Sequence, residues 1–186
     1  MTIEAWQGAL RAVAVLSVDP AAVGGMHLKA RPGAQRERLV SYLREVLPPS
    51  TPIRKLPGHV TEDRLLGGID LASTLARGEL VAERGILAGA SGGVVILPMA
   101  ERAATRTAAH LHICLDQHEF RIEREGIGRR EEARFGVLAL DEGIDDERIP
   151  ASLAERLALM VDVDTVPPRW AEDFFDPPYD AISTAS

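Results

Sequence analysis

The residues with the most evident chemical potential run from Ala30 to Glu37. They follow a short apolar stretch, Met26-His27-Leu28, and lead into a segment of helical period, residues 34–47. That is the strand–loop–helix layout of a phosphate-binding loop, whose pattern is G-x-x-x-x-G-K-[ST]. In a working loop the glycines let backbone N–H groups surround the phosphates, the lysine neutralises them and the hydroxyl holds Mg²⁺. Here the corresponding residues are Ala30, Arg31, Pro32, Gly33, Ala34, Gln35, Arg36 and Glu37. Ala30 and Gln35 stand where the signature glycines belong. Arg36 keeps a positive charge at the lysine position. Glu37 replaces the hydroxyl with a carboxylate, and two like charges about 4 Å apart repel by about 4 kcal/mol at an effective dielectric of about 20. Taken alone, the segment reads as a strand, a turn and a surface helix.

Other reactive side chains form weaker patterns. His110 and Cys114, and Cys114 and His118, are four residues apart on a predicted helix and so share a face. Zinc requires three or four ligands with groups that orient them. No second cysteine pair or acidic cluster accompanies these residues, so no metal site is expected. Ser73 and Ser91 lack a G-x-S-x-G setting, so a hydrolase triad has no support.

The elements that must position these residues follow from periodicity and breakers. Residues 4–16 carry apolar side chains at helical spacing, and Asp19-Pro20 and Gly24-Gly25 end that helix. In residues 34–47, Leu39, Val40, Leu43, Val46 and Leu47 share one face, and Pro48-Pro49 stop the helix. Residues 50–68 read as irregular, with short helices at 70–76 and 83–90. Val94-Val95-Ile96-Leu97, bounded by glycines and Pro98, is the run expected of a fully buried parallel strand. A helix at about 101–117 follows, then a β-hairpin over 118–134 turning at Glu125-Gly126. Phe135 to Leu140 is a second buried strand, Pro150 to Leu157 a helix opened by its proline, and Leu159 to Val163 a final strand. Strands alternating with helices predict an α/β fold with a mostly parallel sheet.

Composition narrows the function classes. The 186 residues, 46% hydrophobic and 26% charged, suffice for one domain with a substantial core. A net charge of −7 and an aromatic content of 4% argue against a nucleic-acid binder. No apolar run approaches a membrane span, and MTIEAWQGAL does not read as a secretory signal. One cysteine excludes an internal disulfide. A cytoplasmic location is expected.

Several motifs together carry a resemblance. They are Val18-Asp19-Pro20 with Gly24-Gly25; EDRLLGGIDL from Glu62 to Leu71; RGILAGASGGV from Arg84 to Val94; EREGI from Glu123 to Ile127; Ala133-Arg134-Phe135; and PASLAERL from Pro150 to Leu157. In order and spacing the sequence resembles the AAA+ core of the magnesium chelatase subunits over about residues 8–165. Of the two AAA+ subunits in that family, the I-type hydrolyses ATP. The D-type carries eroded motifs, an acidic proline-rich linker and a metal-binding integrin-like domain. This sequence looks like the D-type N-terminal domain.

That resemblance implies a degenerate AAA+ core over residues 1–165, P-loop-type, with a β-hairpin insertion. Residues 166–186, rich in proline and acidic side chains, would be a tail or the start of the linker. The loop positions Ala30, Gly33, Gln35, Arg36 and Glu37 become a degenerate Walker A. Pro98 and Met99 fall where the family's active form has the two acidic residues of Walker B, and Asp141-Glu142 where a sensor asparagine belongs. No catalytic residue of its own is expected. Arg156 matches the arginine that, in the resembling ATPases, reaches the neighbouring subunit's γ-phosphate; the plainer alternative is a surface arginine paired with Glu155 or Asp162. The segments Gly67–Leu71 and Arg84–Leu87 would belong to a helical insert, and the charged hairpin to a subunit contact or a solvated surface.

The implied role is a non-hydrolysing platform in the complex that inserts Mg²⁺ into protoporphyrin IX. ATP and Mg²⁺ would be used by the whole complex and not held tightly by this domain. Implied partners are the I-type ATPase subunit, the porphyrin-binding H-type subunit and further copies of this chain in a ring. An active ATPase with unusual motifs, or a degenerate P-loop interaction module outside pigment synthesis, are the alternatives.

Overall fold

A computed structural model describes residues 3–79, 81–124, 127–143 and 146–173. The chain opens with α1 (Ile3–Val18), which buries Trp6, Ala9, Leu10, Val13 and Leu16, the stripe expected of an amphipathic helix. Asp19 then caps α2 (Pro20–Val23) by accepting the Ala22 N–H at 3.0 Å. Gly24 ends it at φ +77, and a Cβ there would lie 2.5 Å from the Arg156 carbonyl oxygen. Only glycine permits both that backbone conformation and that approach.

The strands β1 (Gly25–Lys29), β2 (Ile53–Lys55), β5 (Gly93–Leu97), β8 (Phe135–Asp141) and β9 (Leu159–Asp162) form one sheet in the order β2-β5-β8-β1-β9. All four pairings are parallel. Parallel neighbours need crossover connections, here made largely of helices. On one face α1, α3 (Ala34–Val46) and α9 (Trp170–Asp173) enclose Leu28, Leu39, Tyr42, Leu43 and Leu138. On the other, α7 (Thr105–Gln117) and α8 (Ala151–Ala154) enclose Val95, Leu111, Cys114, Phe135 and Leu153. β5 and β8 are buried along their whole length, as their unbroken apolar runs dictate.

Two smaller pairings decorate this core. Between β2 and β5 the chain forms α4 (Glu62–Leu66), β3 (Gly67–Ile69), α5 (Leu71–Arg77), β4 (Ala82–Arg84) and α6 (Ile86–Gly89), with β3 and β4 antiparallel. The hairpin of β6 (Glu119–Arg124) and β7 (Ile127–Glu132) sits on the sheet through Phe120 and Ile122, both buried. Its turn, Glu125-Gly126, lies outside the described residues.

Four boundaries differ from the sequence expectation. Residues 50–68 contain β2, α4 and the start of β3. The helix expected over 83–90 is strand at Ala82–Arg84 and helix only at Ile86–Gly89, because Glu83 pairs with Gly68 in a ladder. The helix expected from residue 101 begins at Thr105, after a 3-10 turn at Ala100–Arg102. The helix over 150–157 ends at Ala154, since the chain turns to bring the Arg156 carbonyl against Gly24. Val166 and Ala171 are buried in the core, so the packed chain runs past residue 165, while residues 174–186 lie outside the described residues.

Candidate functional site

Strand order dictates where a site can form. From β1 the chain passes through α3 to the β2 edge, whereas from β8 it passes through α8 to β9 on the far side of β1. The connections diverge at the carboxyl ends of β1 and β8, which is where open α/β sheets place a ligand crevice. Lys29 and Asp141 face each other in register there, and the Ala30 N–H continues the ladder to the Asp141 carbonyl at 2.8 Å.

The loop from β1 to α3 is held by the chain itself. The Arg31 N–H donates to Asp164 Oδ1 at 2.6 Å, and the Arg31 guanidinium lies 3.6 Å from Asp164 Oδ2. The Gln35 amide donates to the Val166 carbonyl at 2.6 Å. Gly33 precedes α3 with extended backbone and supplies no side-chain cap. A carboxylate from just beyond β9 therefore accepts the N–H of a loop whose layout suits an anion.

Deeper in the crevice, Arg36 Nη1 donates to Glu142 Oε1 at 3.0 Å, with each side chain 19% exposed. The Glu142 N–H in turn donates to Glu101 Oε2 at 3.3 Å. Glu101 is only 7% exposed, and its Oε1 has no hydrogen-bond partner among the described residues. His27 Nε2 lies 2.7 Å from Asp141 Oδ2, and Asp141 Oδ1 accepts the Gly143 N–H at 2.8 Å. Arg36 thus sits where its charge is already matched, in a partly dehydrated setting that makes the match count.

Pro98 and Met99 follow β5 at the same end of the sheet, Met99 in the left-handed region at φ 48. With Ile96 and Leu140 they line the apolar wall of a cleft of about 580 Å³. Arg36, Glu37, Arg44, Lys55 and Glu142 supply its polar wall. Of residues 30–37, Arg36 and Glu37 line this cleft together with Pro98 and Met99, while Ala30, Arg31, Gly33 and Gln35 lie in or at the end of the loop that leads to them. Glu101 and Asp164 support this region from behind, through the Glu142 and Arg31 N–H groups, and no local pattern in the sequence marks either of them.

Arg156 belongs to a separate cluster. Its Nε lies 2.9 Å from Asp116 Oδ1 and its Nη2 donates to Asp116 Oδ2 at 3.0 Å. His112 Nε2 is 3.4 Å from the same Oδ2, and His112 Nδ1 donates to the Ser152 carbonyl at 2.8 Å. The partner is Asp116 on α7 and not Glu155 or Asp162, the sequence-local choices; Asp162 lies 3.4 Å from Lys29 instead.

No family model matches the sequence. The magnesium-chelatase 60 kDa subunit of Cereibacter sphaeroides is 36% identical over 173 residues, 92% of this chain and 27% of that relative. The 67 kDa subunit of Chlorobaculum parvum is 31% identical over 153 residues, 82% of this chain and 24% of that relative. The chain is a homologue of the D-type, 60/67 kDa subunits of magnesium chelatase. It spans about a quarter of the length of these relatives. The fold matches a solved structure of the complex between the BchI and BchD subunits of magnesium chelatase, with a TM-score of 0.66 and 23% identity, over 93% of this chain and 65% of that one. The five-stranded parallel sheet flanked by helices is thus the AAA+ type of α/β fold.

In this D-type homologue the remaining candidates have structural roles. Cys114 is buried, and burial pushes its thiol up to about 12, leaving it inert at neutral pH. His110 lies 3.8 Å from Glu62. Among the described residues no group of three or more His, Cys, Asp or Glu side chains is arranged to hold a metal ion, and no helix is long and apolar enough to cross a membrane.

Proposed function

We propose that this chain is a non-hydrolysing AAA+ platform of a magnesium chelatase, assembling with the ATPase subunit to drive ATP-dependent insertion of Mg²⁺ into protoporphyrin IX. The observation that carries this reading is the Arg36–Glu142 ion pair at 3.0 Å. The cation retained at the lysine position, Arg36, is matched by a carboxylate of the same chain. Asp164 occupies the Arg31 N–H beside it, and Glu37 adds a further negative charge to the cleft. Pro98 and Met99 offer no carboxylate to bind Mg²⁺ or polarise a water. The residues present do not fit Mg·ATP, and we assign no chemical step to this crevice.

What the domain offers instead is surface and charge for its neighbours. Arg156, exposed on the α8 side, is assigned as an arginine finger that supplies charge to the γ-phosphate in the adjoining ATPase subunit, a contribution of several orders of magnitude in rate where such fingers operate. The porphyrin-binding subunit, a ring of several copies and a cytoplasmic setting complete the reading. Calorimetry of the isolated chain with Mg·ATP tests its first part: the expected result is neither binding nor turnover, and tight binding with phosphate release would overturn it. Co-purification with the ATPase subunit tests the second part, and a chain that fails to associate with it would overturn that.

A further inference from the structure

The Arg156–Asp116 pair is built in a way that an incidental surface contact is not. A guanidinium carries five N–H donors in a planar fork. Asp116 takes the Nε edge at 2.9 Å and one Nη2 donor at 3.0 Å, a side-on, two-pronged arrangement. Both Nη1 donors and the second Nη2 donor are left at the opposite, terminal edge. With the Nε edge taken, that is the bidentate edge left for phosphate oxygens.

Both partners are themselves fixed. Asp116 is on the last turn of α7, whose Leu111, Cys114 and Leu115 are buried in the core. One turn earlier His112 donates from Nδ1 to the Ser152 carbonyl of α8 at 2.8 Å, and its Nε2 stands 3.4 Å from Asp116. The backbone of Arg156 is pinned from the other side, where its carbonyl meets Gly24. The two-pronged Asp116 contact and the backbone seat at Gly24 therefore fix the direction of a side chain that remains 42% exposed.

We infer that Asp116 is a positioning residue: it holds the Nε edge of Arg156 so that the terminal edge faces an anionic, phosphate-bearing partner. This rests on the finger assignment above. Lysine at position 156 carries its three donors on one nitrogen, so once held by Asp116 it has no separate bidentate edge to present.

The test uses the full-length subunit with its ATPase partner, measuring phosphate release while the subunit is titrated to saturation. Asp116→Ala is expected to lower the saturated kcat about fivefold or more, with the half-saturating subunit concentration unchanged. Asp116→Glu is expected to recover most of that rate, since it restores a two-oxygen acceptor. Arg156→Ala is expected to lose more than Asp116→Ala, and Arg156→Lys to recover little of it. A wild-type kcat for Asp116→Ala, a loss confined to the half-saturating concentration, or a Glu variant no better than Ala would overturn the positioning role while leaving the finger in place. A wild-type rate for Arg156→Ala would remove both. Should Asp116→Ala not fold, judged by circular dichroism, Asp116→Asn against Asp116→Glu makes the same comparison, because the amide's donor face repels the guanidinium edge.

Discussion

The carboxylate of Asp164 accepts the Arg31 N–H at 2.6 Å and also faces the Arg31 guanidinium at 3.6 Å, across 133 residues of sequence. The loop that precedes α3 is thereby tied to the segment leaving β9, with the Gln35 amide on the Val166 carbonyl as a second tie. A hydrogen bond to a charged acceptor contributes about 1.5–3 kcal/mol, and the exposure of Arg31 reduces that here. Asp164→Ala should therefore lower stability by about 1–2 kcal/mol, checked by urea unfolding, without creating Mg·ATP binding. An unchanged midpoint would mean the tie contributes nothing.

Arg36 distinguishes a structural cation from a nucleotide-binding one. Arg36→Ala leaves Glu142 without its partner in a setting only 19% exposed, at an expected cost of about 1–2 kcal/mol. The assembled complex should keep its ATPase rate, because this crevice holds no nucleotide in the proposed function. Loss of ATPase activity in a complex whose subunit still folds and assembles would contradict that function.

Gly24 is a doubly constrained position between α2 and β1. Gly24→Ala meets two obstacles, φ +77 and a Cβ 2.5 Å from the Arg156 carbonyl oxygen. A non-glycine residue in that region costs about 1–3 kcal/mol before any overlap is counted. Thermal unfolding of the variant should show destabilisation of about 2 kcal/mol or more. A variant as stable as the parent would mean that the α8–β9 turn can shift away freely.

Cys114 gives a pH prediction with a definite sign. Burial raises its thiol from 9.0 to about 12, so the folded state favours the protonated form. Its contribution to stability is present in full below about pH 9 and is lost as pH rises toward 12. At pH 8 the thiolate fraction in the folded chain is about 1 in 10,000. Iodoacetamide should label the native protein far more slowly than the urea-unfolded chain; equal rates would contradict the burial.

Legibility in the sequence divided along physical lines. The strands at Met26–Leu28, Val94–Leu97 and Phe135–Leu140 were readable because a buried parallel strand needs a short apolar run between breakers, and Leu159–Val163 was readable from a similar run although it forms a half-exposed edge strand. The helix after the loop was readable from its period. β4 was not, because Ala82, Glu83 and Arg84 are all exposed and the strand has no apolar face to betray it. The chemical partners were the hardest to foresee. Sequence proximity suggests Glu155 or Asp162 for Arg156, yet the fold supplies Asp116, 40 residues away. Asp164 meets Arg31 only because β9 ends beside β1, and Glu101 meets Glu142 only because β5 ends beside β8. Side-chain type at a position carries no record of such tertiary neighbours.

The close seat of Gly24 against Arg156 has a mechanical consequence. A backbone-to-backbone contact without a side chain between has almost no compliance, and β1 begins at the next residue. From that seat a five-residue strand, paired with β8 and β9 on either side, runs straight to the loop at Ala30. The exposed arginine and the crevice thus lie at opposite ends of one strand.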